Sequence, residues 1–207
     1  MMKYLLALAL SVVPALSVAM DFTWQNMALL YGKLYPRFDY QESVEDYIKE
    51  FYPKKWALLK NDEFQLQEKK PSYIEEMKQK VAAYSVDETY TIRTTISIGS
   101  YDFKNGVFPI EKGLQGNTYF YTDPDNTASY QLTSYPRQFK LFFNNGEGVR
   151  LEMDQDKAKS FIASRKDKYG NVDRRVTLIL TAKVTGFREA SSSDEFISDI
   201  VSYRFEF

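Results

Sequence analysis

Histidine and cysteine, two residue types that carry much of enzyme chemistry, do not occur in this chain of 207 residues. Their absence removes the side chains that most often transfer protons near neutral pH, act as thiolate nucleophiles or bind transition metals tightly. Catalytic triads and dyads that use histidine are therefore excluded. Lysine, serine and the carboxylates are the groups left to consider.

One lysine and one serine have the spacing of a nucleophile and its base. A helix would place Lys157 and Ser160 on neighbouring positions of one turn. Their neighbours are charged, so nothing in the sequence would lower the pKa of this lysine. A solvated helix face is the favoured interpretation of the pair.

Paired carboxylates could hydrolyse a glycosidic bond without histidine, if one lay in an apolar pocket and the two stood about 5–9 Å apart. Most of the candidate carboxylates are adjacent in sequence, and adjacent residues rarely face each other across that distance. They also lie among polar residues, which do not form an apolar pocket. Asp102 differs because Tyr101 and Phe103 flank it; it is a candidate ligand-binding residue, with turn hydrogen bonding as the favoured alternative. The other carboxylates considered are Glu75-Glu76, Asp87-Glu88, Glu111 and Asp194-Glu195.

Residues 123–126, Asp-Pro-Asp-Asn, place oxygen ligands at alternate positions, as a hard cation prefers. A calcium loop of the EF-hand kind would continue with glycine at position 128 and glutamate at position 134. The chain has Ala128 and Ser134 there, so a turn is the favoured interpretation. The sequence thus predicts no catalytic residue, no metal site and no cofactor.

Basic residues gather late in the chain and could form a patch for an anionic polymer or for phosphate-rich headgroups. Acidic neighbours dilute the cluster, and Tyr169 alone supplies an aromatic side chain, so a solvated turn is the favoured interpretation. The hypothetical patch comprises Arg165, Lys166, Lys168, Arg174 and Arg175.

Residues 116–136 have the composition of a binding surface, because tyrosines alternate there with Asn, Thr, Ser and Asp. Tyrosine offers a flat amphipathic contact area at low entropy cost, and short polar residues add adaptable hydrogen bonds. The alternative is a sheet whose outer face carries tyrosines. The predicted ligand-binding residues are Tyr119, Tyr121, Tyr130 and Tyr135, together with Asp102.

Residues 1–19 have the three parts of a secretory signal peptide, namely a positive start at Lys3, an apolar run and small residues before a cleavage point after Ala19. The apolar run is shorter than a membrane span and contains Pro14, which favours cleavage over anchoring. We therefore expect a periplasmic or secreted protein, which without cysteine has no disulfide.

Residues 20–84 have apolar side chains at helical spacing. The pattern predicts a first helix that ends at Pro36, a second that is capped by Asp39, and a third that begins near Pro71-Ser72. The acidic side chains of the second helix are expected to face solvent. They are Glu42, Glu45, Asp46 and Glu50.

From residue 85 onward the hydrophobic period is two, which is typical of half-buried antiparallel strands. Asn105-Gly106 predicts a hairpin with a type I′ turn, and Asp154 predicts a short capped helix. These elements indicate an α+β fold, with N-terminal helices packed on a mostly antiparallel, twisted sheet and one short helix inserted near residues 154–165. Helical residues 20–84 and β-rich residues 85–207 are expected to form one compact domain.

Four groups of residues from position 101 onward form a pattern of strands and turns. They are Tyr101-Asp102-Phe103 with Phe108-Pro109, Phe139-Lys140-Leu141-Phe142-Phe143, Ala158 with Phe161 and Arg165, and Arg175 with Val184-Thr185-Gly186. This pattern resembles the bacterial domain of unknown function 4852 over residues 90–187. The resemblance implies an exported bacterial protein and supplies no catalytic residue.

The sequence favours a non-catalytic binding or interaction module of the cell envelope whose partner is an envelope protein or a glycan. Its balanced charge, with 27 Lys and Arg against 28 Asp and Glu, predicts no nucleic-acid partner. One alternative is a structural protein associated with the outer membrane, because residues 201–207 alternate and end in Phe207. Membrane association is less favoured, and a carboxylate-based hydrolase less still.

Overall fold

Helices lead the chain and strands follow, as the change in hydrophobic period predicted. The computed structural model describes residues 19–114, 120–127, 131–189 and 195–207. The helices are α1 (Trp24–Leu34), α2 (Tyr40–Phe51), α3 (Pro53–Leu59), α4 (Glu63–Ala83) and α5 (Gln155–Ser164). The strands are β1 (Met20–Asp21), β2 (Thr89–Ser97), β3 (Val107–Pro109), β4 (Phe120–Thr122), β5 (Phe139–Phe143), β6 (Arg150–Glu152), β7 (Arg175–Arg188) and β8 (Glu195–Glu206).

A six-stranded sheet of order β1-β2-β7-β8-β5-β4 forms the centre of the molecule, and β3 pairs with β6 beside it. The pairs β2–β7, β7–β8 and β4–β5 are antiparallel, whereas β1–β2 and β5–β8 are parallel. The predicted α+β class with a mostly antiparallel sheet is confirmed. Within the described ranges, no helix has both the length and the apolar character needed to cross a bilayer.

One face of the sheet is apolar. It carries every second residue of β2 and β7, and most of these residues are apolar. Cross-strand pairs such as Ile92 with Leu180 and Ile96 with Val176 are buried there. Trp24 of α1 extends this core, with its ring centroid 5.4 Å from that of Phe139. The opposite face of β2 carries the polar or charged side chains of Thr91, Arg93, Thr95 and Ser97.

The third predicted helix begins earlier than the sequence indicated. Helix α4 starts at Glu63, where the side chain of Asp62 accepts a hydrogen bond from the N–H of Gln65, and it continues through Pro71. A proline inside a helix removes one hydrogen bond. Packing offsets that loss, because the helix buries apolar side chains on both sides of Pro71, namely Leu66, Ile74, Met77 and Val81. The short α3 was not predicted.

The hairpin after β2 forms where it was predicted, but its turn is not type I′. Asp102 pairs with Val107, and Gly106 has a φ of 69° while Asn105 does not have a positive φ. The carboxylate of Asp102 accepts hydrogen bonds from the N–H groups of Lys104 and Asn105 at 2.9 and 3.1 Å. These bonds stabilise a longer turn in which glycine alone adopts the left-handed conformation.

The alternation predicted for residues 201–207 is interrupted in β8. Ser202 pairs with Thr181, but Ile200 pairs with Ala182, so a bulge leaves Val201 without a direct partner and exposed. Beyond the bulge, Tyr203 pairs with Leu180 on the apolar face. The periodic pattern therefore does not mark one continuous face.

Candidate functional site

The acidic face predicted for α2 is only partly exposed. Glu42 faces solvent, and Glu45 is half-buried and pairs with Lys70 at 2.7 Å. Asp46 and Glu50 are buried, with 0 % and 2 % of their surfaces exposed. The expectation that these two carboxylates face solvent was wrong. Residues of the segment 116–136, which we call the tyrosine-rich segment, cover that side of the helix.

Asp46 is held by a dense set of donors. One carboxylate oxygen accepts hydrogen bonds from the main-chain N–H groups of Thr133 and Ser134, both at 2.8 Å, and the other accepts from the ammonium of Lys49 at 2.9 Å. Burial would raise the pKa of Asp46, but these donors outweigh it and hold the pKa below its ordinary value. We call Asp46, Lys49 and residues 133–135 the Asp46 junction.

Glu50, one turn further along α2, contacts the same segment at Asn126. One carboxylate oxygen accepts from the main-chain N–H of Asn126 at 3.1 Å, and the side-chain amide of Asn126 donates to the main-chain carbonyl of Glu50 at 3.0 Å. The second carboxylate oxygen of Glu50 is buried and has no hydrogen-bond partner among the described residues. The two buried carboxylates thus fix the tyrosine-rich segment at two points.

The four predicted ligand-binding tyrosines do not form one surface in the described residues. Tyr135 is buried at 4 % exposure, packs against Trp24, and is a core residue. Burial raises its pKa. Tyr121 of β4 is 56 % exposed. Tyr119 and Tyr130 lie outside the described residues.

Tyr121 borders a hollow of about 530 Å³ that follows one edge of β2. The hollow is lined by Phe22, residues 91–96, Phe120 and Tyr121. A second hollow of about 210 Å³ shares Thr95 and Ile96 with it and continues along residues 95–97 and 110–113. We call the two hollows together the edge groove, because a single strand edge runs along both.

The edge groove exposes main-chain groups that no described residue satisfies. The N–H of Phe22 donates to the carbonyl of Thr91 at 3.2 Å, and the N–H of Glu111 donates to the carbonyl of Ser97 at 2.9 Å. Residues that alternate along a strand point their main-chain groups to the same side. Arg93 and Thr95 therefore direct their N–H and C=O groups into the groove between these two bonds.

The side chains of the edge groove suit binding better than acid–base chemistry. Arg93 is the charged residue of the larger hollow, and it pairs with Glu206 at 2.6 Å on the outer face of the sheet. This guanidinium lowers the pKa of Glu206, which keeps the pair ionised. Among the described residues, no cluster of three or more acidic side chains could hold a metal ion.

The basic residues predicted as a patch are largely engaged within the protein. Arg165 donates to the carbonyl of Arg175 at 2.6 Å and stacks on Phe161. Arg174 donates to the carbonyl of Gly99 at 2.6 Å, and Arg175 pairs with Asp173 at 2.9 Å. The remaining members are Lys166, which borders a groove beside α5, and Lys168, which lies over the ring of Tyr169.

The groove beside α5 is a second apolar depression, of about 550 Å³. It is lined by Tyr101 and Phe103 of the hairpin and by Ala158, Ile162 and Lys166, among others. Phe103 is 76 % exposed at its rim. Asp102, predicted to bind a ligand, lies in the same hairpin but uses its carboxylate in the turn.

Other groups with catalytic spacing also have structural partners. Ser160 donates to the carbonyl of Asp156 at 3.0 Å, and Lys157 pairs with Asp154 at 3.0 Å, so no nucleophile–base pair forms between Ser160 and Lys157. Among the paired carboxylates, Glu195 bonds to Arg188, Asp194 lies outside the described residues, and three others bond to lysines. These contacts are Glu75 with Lys78, Glu76 with Lys80, and Asp87 with Lys183.

Sequence reasoning missed the edge groove and the two buried carboxylates. The groove depends on which strands flank β2, and the alternating pattern of residues 89–97 does not contain that information. A local signal did exist for Asp46 and Glu50, because both lie four residues apart beside the apolar stripe of α2.

Comparison with known proteins places the chain in a family. The family model described as domain of unknown function 4852 matches residues 39–164, more than half of the chain. The match begins before the predicted resemblance, at α2, and ends with α5. Comparisons with curated proteins and with solved structures gave no match. The chain belongs to the domain of unknown function 4852 family.

Proposed function

We propose that this protein is a non-catalytic binding module of the bacterial cell envelope that holds a partner in the edge groove. The observation that carries the proposal is the combination, in one elongated depression, of exposed main-chain donors and acceptors with an exposed aromatic ring. Tyr121 supplies that ring, and Arg93 and Thr95 supply the main-chain groups.

The distribution of charged groups supports binding rather than catalysis. A general acid or base needs a perturbed group aimed into a pocket. Asp46, the most deeply buried carboxylate of the described residues, is instead surrounded by donors of its own chain and does not line the groove. The groove offers hydrogen bonds and apolar contact, which are the means of recognition.

The location proposed for this activity is the periplasm or the exterior of the cell. The signal-peptide pattern of residues 1–19 supports it. Fractionation of source cells, with mass spectrometry of the amino terminus, tests the location. We expect a mature chain that begins at Met20 outside the cytoplasm, and a cytoplasmic full-length chain would contradict the proposal.

Site-specific photo-crosslinking in intact source cells tests the binding site. A photoreactive phenylalanine analogue replaces Tyr121 in one variant and Tyr169 in a matched control. Both tyrosines are exposed, but Tyr169 lies in a turn beyond α5 and does not line the edge groove. We expect a defined adduct from position 121 and none from position 169.

A third variant makes this experiment specific for the groove. Arg93→Trp adds a bulky ring to the groove at an exposed position, so it should remove the adduct from position 121 without entering the core. Mass analysis then shows whether the adduct is a protein or a glycan. An adduct that persists in Arg93→Trp, or the absence of any adduct, would contradict the proposed site.

A further inference from the structure

We infer that the occupant of the edge groove is an extended peptide segment of a partner protein, which pairs with β2 as an added strand. This inference rests on the proposed function, since it names the class of partner that the same groove holds. It follows from the direction of the main-chain groups, the shape of the groove and the side chains along it.

The main-chain groups have the repeat of a strand. Every residue of β2 lies opposite a residue of β7, but the main-chain N–H and C=O groups point alternately toward β7 and away from it. The N–H of Ile98 donates to the carbonyl of Arg174, which places the even-numbered residues on the β7 side. Arg93 and Thr95 point to the groove and stand two residues apart, about 6.6 Å. An extended peptide presents complementary C=O and N–H groups at the same repeat.

The length of the free edge suits a short peptide. The edge is closed at one end by the bond from Phe22 to Thr91 and at the other by the bond from Glu111 to Ser97. Six residue steps separate Thr91 from Ser97, or about 20 Å of strand. Because the chain itself occupies both ends, a segment of about five residues fits between them.

The side chains of the groove indicate what the peptide carries. Its core side is lined by Ile92, Ile96 and Phe120, which are apolar. Its outer side carries Arg93, whose guanidinium is exposed. A pairing strand places alternate residues on the two sides, so we expect apolar residues at alternate positions and polar residues between them.

Selection from a library tests this inference with a defined probe. Random linear hexapeptides displayed on phage are panned on the purified protein, with prior depletion on Arg93→Trp. We expect enriched sequences with apolar residues at alternate positions. Failure of any sequence to enrich over the Arg93→Trp background would overturn the inference.

A proline substitution then tests the main-chain bonds. Thr95→Pro removes the N–H that points into the groove and leaves the pairing with β7 intact, because proline is tolerated at an outward position of an edge strand. Thr95→Ala changes the side chain alone. We expect the selected synthetic hexapeptides to bind Thr95→Pro about tenfold more weakly, and Thr95→Ala within about twofold.

Hydrogen exchange on the unmodified protein gives a second measurement that needs no variant. The N–H groups of Arg93 and Thr95 should exchange rapidly in the free protein and slowly with the peptide bound. Those of Ile92 and Thr94, which face β7, should be slow in both states. A gain in protection on binding that is equal for both sets, or equal affinity for Thr95→Pro and the unmodified protein, would overturn strand addition.

The two proposals fail in different ways. Suppose that the adduct from position 121 depends on the groove but that Thr95→Pro binds peptide as tightly as the unmodified protein does. This result would support the binding module and exclude strand addition. A glycan adduct would do the same. If neither an adduct nor an enriched peptide depends on the groove, both proposals fall.

Discussion

Asp46 on α2 and Thr95 on β2 both lie beside main-chain polar groups, but the molecule uses those groups differently. At the Asp46 junction, one buried carboxylate accepts from main-chain N–H groups of residues 133–134 and from Lys49. At the edge groove, main-chain groups of Arg93 and Thr95 face solvent with no described partner. The first region is internally satisfied, and the second is open to a ligand.

The difference separates main-chain groups that stabilise the fold from main-chain groups that are available to the proposed partner. A buried carboxylate is costly unless donors surround it, and then its removal leaves those donors unsatisfied. An exposed strand edge costs little, because water satisfies its groups until a partner replaces that water. Substitutions at the junction should therefore act on folding, and substitutions at the edge on binding.

Asp46→Ala should have the largest effect on folding. It leaves the N–H groups of Thr133 and Ser134 and the ammonium of Lys49 without their acceptor, so we expect a loss of about 3–5 kcal/mol in the free energy of unfolding. Urea denaturation measures this loss. Asp46→Asn keeps one acceptor oxygen and should lose less; equal stability of Asp46→Ala and the unmodified protein would break the comparison.

The contribution of Asp46 should also depend on pH. Its pKa is lowered in the folded protein, whereas an unfolded aspartate titrates near 3.9. The stabilisation is therefore complete above the unfolded pKa and is lost as the pH falls through the folded pKa. Urea midpoints from pH 6 to pH 2.5 should converge between the unmodified protein and Asp46→Asn, and a constant difference would argue against this assignment.

Glu50→Gln should have a smaller effect than Asp46→Asn, although the two carboxylates are one turn apart. One carboxylate oxygen of Glu50 has no hydrogen-bond partner within the described ranges, and the other accepts from Asn126. The amide retains an acceptor for that bond, so we expect a change of less than about 1 kcal/mol in the free energy of unfolding. A loss as large as that of Asp46→Asn would mean that the two sites are equivalent.

Thr95→Ala should have the smallest effect on folding. The side chain is exposed, and its main chain pairs with no described residue on the groove side. We expect the free energy of unfolding to change by at most about 0.5 kcal/mol. Thermal unfolding measures this value, and a loss above 1 kcal/mol would show that this edge supports the fold itself.

The sequence predicted those parts of the fold that depend on local patterns. Apolar spacing placed α1, and the caps at Asp39 and Asp154 placed the starts of α2 and α5. Strand β5 covers residues 139–143, one group of the strand-and-turn pattern described in the sequence. The turn of the hairpin was predicted in place but not in type, because the carboxylate of Asp102 competes with the preference of Asn105-Gly106.

The candidate site was less predictable because it depends on contacts distant in sequence. Asp46 bonds with Ser134, 88 residues away, and no periodic pattern identifies such a partner. The composition of residues 116–136 drew attention to Tyr121, which lines the groove, but equally to Tyr135, which is in the core. A high frequency of tyrosine indicates amphipathic side chains, but it does not distinguish an exposed tyrosine from a buried one.

The parallel pairings at β1–β2 and β5–β8 have a consequence for the order of folding. Strands β7 and β8 follow each other in the chain and can pair early, whereas Met20 must find Tyr90 and Lys140 must find Glu195. Such non-local pairings form slowly because a long loop must close first. The pairing of β2 with β7, which joins Tyr90 to Ala182, closes a longer loop than either parallel pairing, so β2 acquires its defined free edge late in folding.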